Sequence, residues 1–218
     1  MKIKGPNFDD NRMEESDALQ EMIEESLRDQ EEVSLKHIKG ACLKEMVLEE
    51  VSFDQVIFEN CSFINVSFKK TSFNDVVFQS CDLSNCKVSE NWFHRCVFQN
   101  VKGTGSDFGG SRFLHVKMEN ANFKYANFTE SKFDTCIMEQ CDLTDAFFSQ
   151  CGFKQLELNE SKFVQTEFFK TPLKKIDFTT CVLEGIRISS ECRELKGAVV
   201  NLFQAAELAK ILGITIKE

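Results

Sequence analysis

The sequence predicts an all-β solenoid, a chain wound into a four-sided tower with one large apolar side chain per wall. Two observations carry this prediction. From Leu43 by fives to Ile188, eighteen of thirty positions are Phe and eleven more are Leu, Ile, Val or Met, with Gly103 the one exception. Two residues before each of these, from Ala41 to Ile186, stand Ala, Cys, Ser, Thr, Val and a few larger apolar residues, with Asn91 the one amide. Residues 41–190 hold 36 charged side chains, 16 basic and 20 acidic, and none occupies either slot.

A repeat of five fits neither a helix face, which recurs every ~3.6 residues, nor a strand face, which recurs every ~2. Each quintet reads small-in, out, large-in, out, out. The first three residues alternate as a strand does, and the two successive outward residues require a corner. If every quintet turns by a quarter, four of them close a coil of 20 residues, and the next coil stacks on it at ~4.8 Å. Thirty quintets give roughly 7.5 coils, a rod of ~36 Å. The large side chains then pile up along the axis in four columns.

This divides the chain into residues 1–40, 41–190 and 191–218. The first segment has eleven acids against six bases. Leu19, Met22, Ile23 and Leu27 share one side of a helix expected from about Ser16 to Asp29, placed to cover the first coil. The middle segment is the coil. Its stretch KGTGSDFGGS, where Gly103 removes an axial side chain, reads as a soft spot or small bulge. The last segment leaves the five-residue frame. Asn201 caps a helix there with Gln204 three residues on, Gly213 stops it, and only Gln204, Glu207 and Lys210 form a polar stripe. A helix so apolar is covered on more than one side. One side faces the last coil and the other a partner.

The cysteines follow the same frame. Eight of the ten occupy the small slot, and no spacing matches a zinc site, so they read as small apolar filler in a reduced compartment. The net charge of -9 and pI near 5.0 argue against a nucleic-acid or lipid-surface binder. No apolar run approaches a membrane span and no secretory leader is evident, which points to the cytoplasm. No nucleotide loop or nucleophile–base arrangement stands out, and no catalytic residue, cofactor or metal is expected. Outward Trp92, Tyr125, Phe147 and Phe169 suit protein contacts.

The quintets CSFIN, TSFND, CDLSN, ANFKY, ANFTE and CDLTD resemble the pentapeptide-repeat consensus. That resemblance implies a right-handed quadrilateral β-helix. The tail from LKGAVVN through FQAAELAKILGI resembles that of quinolone-resistance (Qnr-type) pentapeptide-repeat proteins. It implies a tail-to-tail homodimer through Leu202, Phe203, Ala206, Leu208, Ile211, Leu212 and Ile214. It also implies a rod that imitates B-form DNA, binds DNA gyrase or topoisomerase IV and counters quinolones.

Folding the sequence modulo 20 separates the walls. The wall of 56–60 through 176–180 carries Glu59, Glu119, Glu139, Glu157, Glu160 and Asp177 against Lys117 alone, and outward Ile57, Val77, Val97 and Ile137 share it. This acidic wall is the expected partner-binding face, through charge complementarity with a basic saddle. The alternative is a scaffold for some other protein partner, since the fold does not dictate function.

Overall fold

A computed structural model describes residues 2–217. The chain forms a right-handed quadrilateral β-helix of about nine turns with a helix toward each end. All ladders between successive coils are parallel, and inside the coil their register is 20: Phe53 lies opposite Phe73, Phe73 opposite Phe93 and Phe93 opposite Phe113. Backbone hydrogen bonds run between coils, as in Ser72 N–H to Val51 O (3.0 Å) and Asn60 N–H to Gln79 O (2.9 Å).

The corner has a backbone signature. The fifth residue of each quintet, from Gln30 to Lys175, adopts positive φ, including Asn60, Asn100, Asn120 and Gln155. The left-handed region is disfavoured for L-residues and worst for β-branched ones. Thr135 is the one β-branched residue in this column, and five of its members are Asn.

The core is two interleaved patterns of phenylalanine. Rings twenty residues apart stack along the axis, with Phe93–Phe113 centroids 5.0 Å and Phe113–Phe133 4.6 Å apart. Rings five apart meet edge to face, as in Phe53–Phe58 at 5.5 Å. Both arrangements suit the ring quadrupole. The small slot does more than fill space. Its hydroxyls and thiols donate to the large-slot carbonyl 23 residues earlier: Ser131 Oγ to Phe108 O (2.9 Å), Thr166 Oγ1 to Leu143 O (2.8 Å), Cys151 Sγ to Phe128 O (2.9 Å). Each such residue therefore ties its coil to the preceding one.

Gly103 is no bulge. The Lys102 bridges to Asp82 and Asn122 are intact, and Gly103 N–H donates to Asn122 O at 2.8 Å. A Cβ on Gly103 would lie 2.6 Å from Cδ1 and Cε1 of Phe123, so the Phe123 ring occupies the space the missing side chain leaves.

The regular ladder begins before the expected segment 41–190. Val33–Lys39 pairs with Ser52–Glu59 in register 20, and Val33 and Ile38 are buried in the large slot. The small slot there holds Glu31 and Lys36, which hid these two quintets from a criterion that excludes charge. Lys36 reaches out to Glu14 instead. Before this ladder, Glu14–Ser16 adds a short strand on Lys36 to Ile38, and α1 (Leu19–Asp29) seals the end with Leu19 and Ile23 buried. Leu27, expected on the covered side, is 46% exposed; Ser26 is buried in its turn of the helix and donates to Glu31 O.

After residue 190 the coil continues two residues out of phase, through a 3-10 turn at Arg193–Leu195 to a bridge between Asp177 and Val199. Then α2 (Leu202–Ile211) begins, with the expected capping box between Asn201 and Gln204. No helix of the described residues is long and apolar enough to cross a membrane.

Candidate functional site

The coil brings the acidic residues into one column set. Residues 57, 77, 97, 117, 137 and 157 stand directly above one another, with Glu119 opposite Glu139. Several acids of the wall are held in place by neighbours. Glu59 Oε2 meets His37 Nε2 at 2.8 Å, and Lys117 bridges Glu119 and Glu139, the latter at 3.1 Å. The paired carboxylates raise the Lys117 ammonium, Glu119 first through its hydrogen bond, and so keep it charged. Glu160 accepts from Gln140 Nε2 at 2.9 Å. Asp177 accepts from Thr179 N–H and Oγ1 at 2.9 and 2.7 Å, hydrogen bonds that hold its carboxyl below the usual range. Asn159 donates to Glu157 at 3.3 Å. Exposed acid on this wall is thus concentrated toward the C-terminal end. Ile57, Val77, Val97 and Ile137 are half-buried beside it.

The C-terminal helix presents a second surface. The polar stripe supplies the plug: Gln204 is buried, and its Nε2 donates to Phe178 O and Cys181 O, both at 2.7 Å. Phe178 O also accepts from Cys181 N–H at 2.8 Å, and the one amide adds a bond to each of these two carbonyls. Turning Gln204 inward turns the apolar residues out. Leu202 is 82% and Phe203 85% exposed, and Leu212, Ile214 and Ile216 are each more than half exposed. Ala206 and Leu208 are half-buried, with Leu208 against the core; Ile211 lies at the exposed edge.

A third feature was not anticipated as part of any surface. Residues 2–13 lie along the corner column of Gln55, Asp75, Arg95, His115, Thr135 and Gln155. Asp9 N–H donates to Gln55 Oε1 (2.8 Å) and Asn7 N–H to Asp75 Oδ1 (2.9 Å). Beneath them is a polar cluster: Arg95 clasps Asp75 with Nε (2.6 Å) and a second nitrogen, and His94 Nδ1 meets Asn74 Oδ1 at 2.8 Å. Burial, then the Arg95 charge, lowers the His94 pKa. His37, the third imidazole besides His94 and His115, is spent on Glu59.

The slot cysteines are buried, and desolvation pushes Cys96, Cys136, Cys141 and Cys151 up to about 12. Such thiols are poor nucleophiles. Among the described residues no group of three or more His, Cys, Asp or Glu is placed to hold a metal ion. Trp92, Tyr125, Phe147 and Phe169 are all exposed, with the Arg187 guanidinium 5.6 Å over the Phe147 ring.

Comparison with known proteins agrees with this geometry. Residues 51–128 match the family described as a pentapeptide repeat region. No curated protein matches the sequence significantly. Among solved structures, the trypsin-treated form of QnrB1, a plasmid-mediated fluoroquinolone resistance protein, is similar at 20% identity and TM-score 0.64, covering 83% of this chain and 90% of that one. HetL is a pentapeptide repeat protein involved in heterocyst differentiation regulation, from the cyanobacterium Nostoc sp. strain PCC 7120. It is similar at 12% identity and TM-score 0.53, covering 83% and 93%. At these identities the likeness is one of fold.

Proposed function

The chain carries a pentapeptide-repeat region, and from that premise we propose that it is a non-catalytic, cytoplasmic rod that binds a type II topoisomerase, DNA gyrase or topoisomerase IV, in the manner of a DNA mimic and protects it from quinolones. The observation that carries the reading is the end of the rod. An apolar helix face with Leu202 and Phe203 almost fully exposed supports a tail-to-tail homodimer, isologous about a twofold axis, which doubles the length of the rod. The acid concentrated toward that end, with Glu160 and Asp177 outermost, then lies on both sides of the twofold, where a basic DNA saddle would meet it.

The test is gyrase supercoiling with and without a fluoroquinolone, across protein concentrations and salt. The expected result is inhibition or drug rescue that weakens as salt rises. Neither effect up to high micromolar protein retires the topoisomerase reading. One observation favours a second reading, a scaffold for a different protein partner: Lys117 is paired with two of the wall's acids and His37 engages a third, leaving the half-buried Ile57, Val77, Val97 and Ile137 stripe as the contact. Binding through that stripe is largely indifferent to salt.

A further inference from the structure

The coil is breached on two adjacent walls near its C-terminal end. Gly152–Asn159 pairs backward with Lys132–Glu139 across both walls. Forward, no bridge joins Phe153, Gln155 or Leu158 to the segment 172–179, and the ladder resumes only where Lys162 meets Val182. Pro172 accounts for the opening. In the intact coil the second residue of a quintet donates its N–H to the small-slot carbonyl one coil back, as Lys132 does to Ser111 O and Gly152 to Ser131 O, both at 3.0 Å. Pro172 has no N–H to offer Cys151 O. Phe153 and Leu156 consequently lose the full burial that Phe133 and Cys136 have one coil earlier. The gap is a cleft of about 480 Å³, bounded by Leu156, Leu158, Lys175, Asp177 and Thr180, and by Lys2 from the opposite end of the sequence.

Lys2 arrives there on an extended strap. Asp9 is fastened at Gln55 and Asn7 at Asp75, one coil further on. Lys2 lies beside Gln155, four coils beyond Asp75. Four coils span ~19 Å at strand spacing, and five residues reach at most ~18 Å, so the strap runs nearly straight and the lysine side chain completes the distance. Ile3, Pro6 and Phe8 are half-buried along the way. The column under the strap is also the sheltered one. Asp75 and Thr135 are buried and Gln55, Arg95 and His115 half-buried, with Gln155 at the breach exposed, whereas Asn60, Ser80, Asn100, Asn120, Gln140 and Glu160 on the next corner are all exposed.

We propose that residues 2–9 form a strap that docks and undocks along this corner column, and that Lys2 is the residue by which it reaches into the breach. Asp177, on the lining of the cleft, offers a carboxylate to the lysine. The strap, fastened by two main-chain N–H hydrogen bonds to side chains and without strand pairing across residues 2–9, belongs to the low-stability part of the molecule. This inference is independent of any topoisomerase binding.

Hydrogen exchange on the full chain tests it. In Phe8→Asp, exchange across Gly152–Asn159 rises at least ~10-fold while Lys132–Glu139 keeps its protection. Adding a synthetic peptide of residues 2–13 at millimolar concentration restores protection, and the same peptide carrying Lys2→Glu does not. Should Phe8→Asp lose protection over the whole coil, the exposed substitution Lys2→Glu in the full chain is read instead, with the same expectation for Gly152–Asn159. Unchanged exchange across Gly152–Asn159 in the folded variant, or no protection from the wild-type peptide, overturns the proposal.

Discussion

The two ends of the tower are closed by different means. At the N-terminal end α1 lays two apolar side chains, Leu19 and Ile23, flat on the first coil, and a strand from Glu14 to Ser16 pairs with the sheet edge. At the C-terminal end α2 contributes one amide, Gln204, to the carbonyls of the last coil and leaves Leu202 and Phe203 in the open. The first end is finished within one chain: its apolar surface is gone and its edge is paired. The second satisfies its hydrogen bonds but keeps its apolar surface, which is the condition of a surface made to meet another.

Substitutions at the two ends should break this contrast in graded steps. Ile23→Ala empties a fully buried site and is expected to cost about 2–5 kcal/mol, with hydrogen exchange rising first across Val33–Lys39. Gln204→Ala removes two buried hydrogen bonds and half of the capping box, about 2 kcal/mol; exchange then rises at the C-terminal coils and leaves the first coil protected. Glu194→Gln is expected to cost about 1–2 kcal/mol at neutral pH. Burial pushes the Glu194 carboxyl up, but hydrogen bonds from Lys170 N–H (2.9 Å) and Ser189 Oγ (2.8 Å) outweigh it and hold the group below its ordinary 4.5.

A lowered carboxyl stabilises the fold fully above its unfolded pKa, and the contribution disappears as the pH falls through the folded one. Acid therefore loosens the turn that Glu194 holds, and Glu194→Gln removes that part of the pH dependence. Phe203→Ser should change the stability of the protomer by no more than about 0.5 kcal/mol, while light scattering reports a shift from dimer to monomer. An unchanged mass would place the apolar face outside the interface and bring the two ends closer in kind.

Much of this was legible in the sequence, for a definite reason. A solenoid repeats its environment, so one requirement, a large apolar side chain on each wall, is written thirty times and survives local exceptions such as Gly103. The capping box of Asn201 and Gln204 was legible because it is local. What stayed hidden occurs once. Gln204 belongs by type to a polar stripe, and nothing local says that two carbonyls of the preceding coil need it. Glu31 and Lys36 concealed the first two quintets because a coil near the end can turn its small slot toward solvent. The strap has no period at all, and its contacts with Gln55 and Asp75 lie 46 and 68 residues away. Pro172 was the one readable signal for the breach, since proline cannot serve as a ladder donor.

The pairing of each terminal turn has a consequence for assembly. Glu14 stands opposite Lys36 and Asp177 opposite Val199, a spacing of 22 at both extremities where the interior keeps 20. A second molecule stacking head to tail would meet a three-residue strand at one extremity and a single bridge at the other, in place of the longer ladders of the interior. Edges so short, each with a helix beside it, leave a structure made of identical storeys little on which to build itself into a fibre.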